Sequence, residues 1–333
     1  LVETLDSTVS QIRGLDSRLR DLDGATHSRI VAEAATVDGL VGNLATLNRD
    51  IGIARATANS APNGLLDQRD RLLDQLAAKV SIRVVGTDAG AVNVYLSGGQ
   101  SLVFGDTAVK VATINDPADI GRSRLVLRNG SSTEDVTRSI SGGVLGGLLE
   151  FRDEVLDPAR NEVGRIATVL SSALNAQHQK GIDYLGAPGG ALLSVGAPRT
   201  VVPTDNTGSV SSSTTVTDAG ALTGADYELE WQGASWSLRR LDSGAAVPFT
   251  GTGTAGSPIA FDGLSLLVSG TPAVGDRVLL RPTREAVSQM RVEITAPSRV
   301  AAATPVRVSA SIDNLGAARV SSLEVIDASD PML

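Results

Sequence analysis

Leu1-Val2-Glu3-Thr4-Leu5-Asp6-Ser7-Thr8-Val9-Ser10-Gln11-Ile12 opens the apolar stripe on which the reading of this chain turns. The stripe runs through Leu15, Leu19, Leu22 and Ile30, then Val37, Leu40, Leu44, Leu47, Ile51, Ala54 and Ala58. Its steps are mostly three and four residues, which set the side chains on one face of an α-helix over about 1–58. Thr26 stands at the stripe position between Leu22 and Ile30, beside Gly24, so a kink or break is expected there. Unbroken, the helix would run roughly 85 Å at 1.5 Å per residue, longer than a compact domain requires. Its stripe is expected to be covered by other helices of the chain, by neighbouring subunits, or by both on different faces. Gly14, Gly24, Gly39, Gly42 and Gly52 each weaken an exposed helix by up to about 1 kcal/mol relative to Ala, so packing must supply the difference.

Asn59 to Gly64 is a turn by composition, with Asn63 placed to cap a second helix at about 64–79. Leu65, Leu72 and Leu76 form its apolar face, and Asp67 precedes Arg71 by four residues. From Val80 the period changes to two, through Ile82, Val84, Val92, Val94, Leu96, Leu102, Phe104, Leu125 and Leu127, which reads as antiparallel hairpins over about 80–140. Gly142-Gly143 ends them. Helical spacing returns over about 144–180 with Leu145, Leu149, Leu156, Val163, Ile166, Leu170 and Leu174. Asp157-Pro158 lies inside that pattern, so the helix is expected to kink or to restart with Asp157 as cap. After Gly181 the composition turns to Gly, Ser, Thr and Pro. Short strands are expected at Tyr227–Trp231, Trp236–Leu241, Ile259–Phe261, Leu264–Val268, Val278–Leu280 and Val306–Val308, as in a sandwich or barrel-like lobe. The fold class is α+β: an elongated, rod-like domain of long helices with a small antiparallel β element over 1–189, then a mainly antiparallel β-rich lobe over 190–333.

With 333 residues the chain has room for two domains, and aromatics at only 3% leave Leu, Val, Ile and Ala to build the cores. A net charge of -8 and the lack of a clustered basic patch argue against a nucleic-acid partner. No run approaches 18 consecutive apolar residues and the first residues lack a signal-peptide pattern, so no membrane partner is expected. The absence of cysteine excludes disulfides and thiolate chemistry.

The candidates for chemistry are few. His178 has no ligand one turn away, Asp183 being five residues on, and His27 has only Asp23 four residues before it. Gly251-Thr252-Gly253-Thr254-Ala255-Gly256 matches a dinucleotide fingerprint, with Asp276 twenty residues further on. However, Ser257-Pro258-Ile259 leads into a strand, where pyrophosphate binding needs a helix N-terminus. No nucleophile elbow or Walker loop occurs, and Asp183-Tyr184-Leu185-Gly186 lacks the alternating acids of a calcium loop. The expectation is no enzyme, with no catalytic, cofactor-binding or metal residues and no small-molecule substrate.

Several separated motifs carry a family resemblance. Leu47-Asn48 followed by Asn63-Gly64-Leu65-Leu66-Asp67-Gln68-Arg69-Asp70 resembles a segment of the flagellar hook-associated protein 1 family. So do Gly142-Gly143-Val144-Leu145-Gly146-Gly147-Leu148-Leu149-Glu150-Phe151-Arg152 and Asn175-Ala176-Gln177-His178 with Gly181-Ile182-Asp183. Leu222-Thr223-Gly224, Asp226-Tyr227, Gly275-Asp276 and Arg281-Pro282-Thr283-Arg284 fit its β lobe. The resemblance implies a structural axial protein of the bacterial flagellum that forms the hook–filament junction. Its partners would be further copies in a ring, the flagellar hook protein and hook-associated protein 3. Its place would be extracellular, reached by flagellar type III export without a cleaved signal peptide. The resemblance gives His178 and Asp183 no catalytic role. Because the chain starts inside a helical stripe and stops at Asp330-Pro331-Met332-Leu333, it is expected to be a central fragment lacking the family's terminal segments. The long helix would then pair with helices near Leu145 to Leu174 and meet segments outside this chain, leaving its start exposed. The alternatives are a related axial protein such as flagellin or hook-associated protein 3, against which Leu65 to Asp70 argues, and a surface adhesin or phage tail-like protein with a receptor-binding β lobe.

Overall fold

Helix α1 runs without interruption from Val2 to Thr57 in the computed structural model, which describes residues 1–57, 62–87, 90–306, 313 and 316. The break expected at Gly24 and Thr26 does not occur: Thr26 is buried, and the core resumes at Ile30. A glycine costs a helix only about 1 kcal/mol, less than the burial of the apolar residues that follow. The chain packs into two units, one of Arg20–Asp157 with Pro203–Asp205, the other of Leu1–Leu19, Pro158–Val202 and Asn206–Leu333.

In the first unit α1 is joined by α2 (Asn63–Lys79) and by two antiparallel sheets. One sheet has the order β1-β2-β3-β4, from Ile82–Gly86, Val92–Leu96, Ser101–Phe104 and Thr107–Ala108. The other has the order β5-β6-β7, from Lys110–Asp116, Asp119–Asn129 and Ser132–Asp135. Helix α3 (Gly143–Glu150) closes the unit, whose core gathers Ile30, Val37, Val41 and Leu44 with Leu76, Val94, Leu102, Leu125 and Leu145. Asn63 is the first helical residue of α2 and not its cap. Pro62 holds the cap position, and its carbonyl accepts from the Leu65 and Leu66 amides. Gly142 and Gly143 sit at φ +60° and +59°, and a Cβ on Gly143 would lie 2.4 Å from the Lys79 carbonyl carbon, so only glycine lets α3 start against the end of α2.

The restart with Asp157 as cap does not occur, because Asp157 is itself helical. A π-helical stretch, Phe151–Leu156, links α3 to α4 (Asp157–His178), and the Asp157 amide donates to the Arg152 carbonyl five residues back. The widened turn shifts the ladder where Pro158 offers no donor.

In the second unit two antiparallel sheets face each other. After β8 (Leu193–Ser194) and β9 (Arg199–Val201) come β10 (Ser209–Val216), β11 (Tyr227–Trp231), β12 (Trp236–Arg240), β13 (Ile259–Phe261), β14 (Leu264–Thr271), β15 (Arg277–Arg281) and β16 (Arg291–Val292). The orders β10-β14-β13 and β12-β11-β15-β9 enclose Val210, Ile259, Phe261, Leu264 and Leu266 against Tyr227, Leu229, Leu238, Val278 and Leu280. The strand expected at Val306–Val308 falls on Arg307 and Val308, outside the described residues. A smaller cluster sets Leu5 and Val9 of α1 against Ala167 of α4, with Leu192, Leu193, Val287 and Met290. Leu5 is buried there, whereas Ile12 and Leu19 are half-buried.

Candidate functional site

The Asn175-to-Asp183 motif is assembled at the end of α4, where Asn175, His178 and Asp183 all bond to backbone. Asn175 Oδ1 accepts from the Leu192 and Leu193 amides at 2.7 and 3.0 Å, while its Nδ2 donates to the Leu193 carbonyl at 2.8 Å. His178 is buried, with Nδ1 2.8 Å from the Gly190 carbonyl oxygen and Nε2 accepting from the Ala301 amide at 2.8 Å. Asp183, also buried, accepts from the Leu185 and Ala187 amides at 2.8 and 2.9 Å, and Arg299 Nε lies 3.7 Å from its other oxygen. The outcome is a hydrogen-bonded turn that carries Tyr184 at 87% and Leu185 at 69% exposure. Sequence spacing presented His178 and Asp183 as residues without ligand partners. Their partners are amides and carbonyls, which no side-chain pattern records.

The other sequence candidates are dispersed. His27 is half-buried, and its Nδ1 is buried without a hydrogen bond. Asp23 lies 3.9 Å from Arg122, a β6 residue that is bound doubly by Asp157 and stands 3.4 Å from Asp119. Burial draws the Arg122 guanidinium down, but the Asp157 hydrogen bonds and the charges of Asp157, Asp23 and Asp119 outweigh it and hold it above its usual range. The stretch from Gly251 to Gly256 is a loop in which the Thr252 and Gly253 amides both donate to the Ser257 carbonyl, and β13 follows it, not a helix. Asp276 is a loop anchor: it accepts from the amides of Ala273, Thr207 and Gly208, which keep its carboxyl below the ordinary range. Burial pushes the Tyr227 phenol up, against the hydrogen bond with Thr223, as the phenol donates to Asp262 at 2.7 Å. Among the described residues, no group of three or more His, Cys, Asp or Glu side chains could hold a metal ion.

The part of helix α1 from Arg20 onward docks on the β element of the first unit through two polar staples that the stripe did not reveal. Buried Asn48 donates from Nδ2 to the Val92 and Gly105 carbonyls, both at 2.7 Å, and accepts from the Val92 amide at 3.1 Å. Asp38 accepts from the Val111 amide at 2.8 Å. Beside Asn48, a groove of about 380 Å³ runs between Thr46, Leu47 and Asp50 of α1 and Gln68, Arg71 and Leu72 of α2. The Leu65-to-Asp70 motif therefore contributes Gln68 to the groove, while Arg69 engages Asp70 at 2.9 Å and the Gly90 carbonyl at 3.4 Å. By length and composition α1 could cross a membrane, but its apolar residues from Ile30 to Ala45 form the buried side of an α/β core.

Fold and motifs together define an α+β chain in which one long helix serves two cores and the polar motifs fasten backbone to backbone. Residues 1–193 match the family model described as the flagellar hook-associated protein FlgK helical domain, and residues 201–282 match that of the flagellar hook-associated protein 1, D2-like domain. The chain is 35% identical to flagellar hook-associated protein 1 of Escherichia coli (strain K12), over 91% of this chain and 56% of the relative. It is 31% identical to the Salmonella typhimurium protein of the same name, over 94% and 57%. The solved structure of the flagellar hook junction protein FlgK from Burkholderia pseudomallei matches with a TM-score of 0.84 and 33% identity, over 91% of this chain and 55% of that one. The chain belongs to the flagellar hook-associated protein 1 family, as its motifs implied. It spans about half the length of the curated relatives it matches.

Proposed function

We propose that this chain is part of a structural axial protein that joins the flagellar hook to the filament by subunit packing. The observation that carries the reading is the correspondence of its backbone to the Burkholderia hook junction protein over 91% of the chain. In this reading residues 1–189 form the axial helical domain and residues 190–333 the β-rich outer lobe. Copies associate in a ring, with the flagellar hook protein and hook-associated protein 3 as neighbours. The protein works outside the cell after type III export without a cleaved signal peptide. The driving force is geometric and apolar: burial contributes roughly 25 cal/mol per Å² of apolar surface removed from water. The reading calls on no cofactor, metal or substrate, and Asn175, His178, Asp183 and Asp276 enter it as backbone anchors.

Deletion of the protein from a flagellated cell tests this. The expected result is hooks without stably attached filaments, with filament subunits released into the medium. Normal filaments in the deletion strain would overturn the reading.

A further inference from the structure

The partners of His178 determine where its proton lies. A carbonyl oxygen only accepts and a backbone amide only donates, so Nδ1 donates to Gly190 and Nε2 presents a bare lone pair to Ala301. Three pieces of backbone meet at this ring: the end of α4, the turn from Gly181 to Gly190, and the segment from Pro297 to Ala303. They are in direct contact. A Cβ on Gly181 would lie 2.4 Å from the Ala301 carbonyl oxygen, and one on Gly189 would lie 2.0 Å from the His178 carbonyl oxygen. The Tyr184 amide donates to the Ser298 carbonyl at 3.1 Å and the Ile182 amide to the Ala303 carbonyl at 2.8 Å.

We propose that His178 is a proton-sensitive latch. Neutral, it ties the end of α4 to both other segments; a second proton, on Nε2, sets one donor against another and releases the Ala301 segment together with the turn that carries Tyr184 and Leu185. The charged groups on the three segments are Lys180, Asp183 and Arg299. Asp183 is engaged by the Leu185 and Ala187 amides and lies 3.7 Å from Arg299, and both ring hydrogen bonds go to backbone. The carboxylate partner that would favour an imidazolium is thus absent from those two bonds. The C-terminus of α4 favours a cation, but two buried donors facing each other cost more than a helix end supplies. The sign follows from which state takes up the proton. Nε2 is occupied by the Ala301 amide in the closed latch and bare in the open one, so proton uptake favours opening as pH falls.

Hydrogen exchange of the Ala301 amide in this chain, corrected for the intrinsic pH dependence of exchange, measures the opening. Opening should rise from pH 7.5 to pH 5.0, because only the open state leaves Nε2 free to take a proton. In His178→Gln no side chain at this position titrates, so the corrected exchange should stay level. An equal rise in the variant and the wild type overturns the proposal. Should the variant not fold, ¹⁵N spectra of the wild-type ring decide, with His27→Gln removing the other histidine signal. An Nδ1–H tautomer at pH 7.5, with protonation matching the loss of Ala301 protection, supports the latch. An Nε2–H tautomer, or protonation without that loss, overturns it.

Discussion

Two stretches of α1 share one period and meet different fates. Ile30, Leu44 and Ile51 are wholly buried, while Leu15 and Leu22 on the earlier turns are 46% and 43% exposed, although Leu5 and Val9 between them and the helix start are covered. The later stretch has α2, two sheets and α3 around it. The first turns have α4 and the segments at Leu192 and Val287 on one side. A stripe of threes and fours therefore reports which face of a helix is apolar, and not how much of that face the chain covers.

The comparison breaks if truncation is equally costly in both stretches. Leu44→Ala should lower the unfolding free energy by about 2–5 kcal/mol, from lost transfer energy plus a cavity, read by urea denaturation followed by far-UV circular dichroism. Asn48→Ala should cost about 2–3 kcal/mol by leaving the Val92 amide buried without its acceptor; a neutral result would show the staple to be dispensable beside the apolar contacts. Two glycine substitutions sharpen the contrast between covered and open helix faces. Gly164→Ala on α4 should destabilise by about 1–3 kcal/mol, because its Cβ would lie 1.9 Å from the Thr283 carbonyl oxygen. Gly24→Ala, where an added methyl meets nothing within 4 Å, should stabilise by about 0.5–1 kcal/mol if α1 is continuous in solution. A loss at Gly24 would mean that the helix breaks where the sequence had raised that expectation. Leu15→Ala should change stability by less than about 0.5 kcal/mol; a cost near that of Leu44→Ala would end the distinction.

Strand β10 is too polar for its pattern to mark it as a strand. Its sequence, Ser-Val-Ser-Ser-Ser-Thr-Thr-Val, alternates weakly, and it is a strand because it pairs with β14 from Ser209 opposite Thr271 to Val216 opposite Leu264. The more apolar strands β11, β13, β14 and β15 were legible from their alternation. Pro158 by its residue type alone signals a disturbed helix, but its remedy, the π-helical stretch, depends on the backbone before it.

By itself the sequence determined the long helix, the change of period from helix to strand, the α+β class and, through separated motifs, the family. These follow from local geometry, since periods of 3.6 and 2 are properties of the backbone around each residue. Only the tertiary structure decided that Leu15 and Leu22 of α1 stay exposed while Ile30, Leu44 and Ile51 are enclosed, that Asn48 is a staple, and that His178 and Asp183 hold a turn instead of a ligand. Their hydrogen bonds explain why: Asn48 reaches residues 44 and 57 positions away and His178 one 123 positions away. Such partners are backbone groups common to almost every residue, so they leave no mark in the order of side chains.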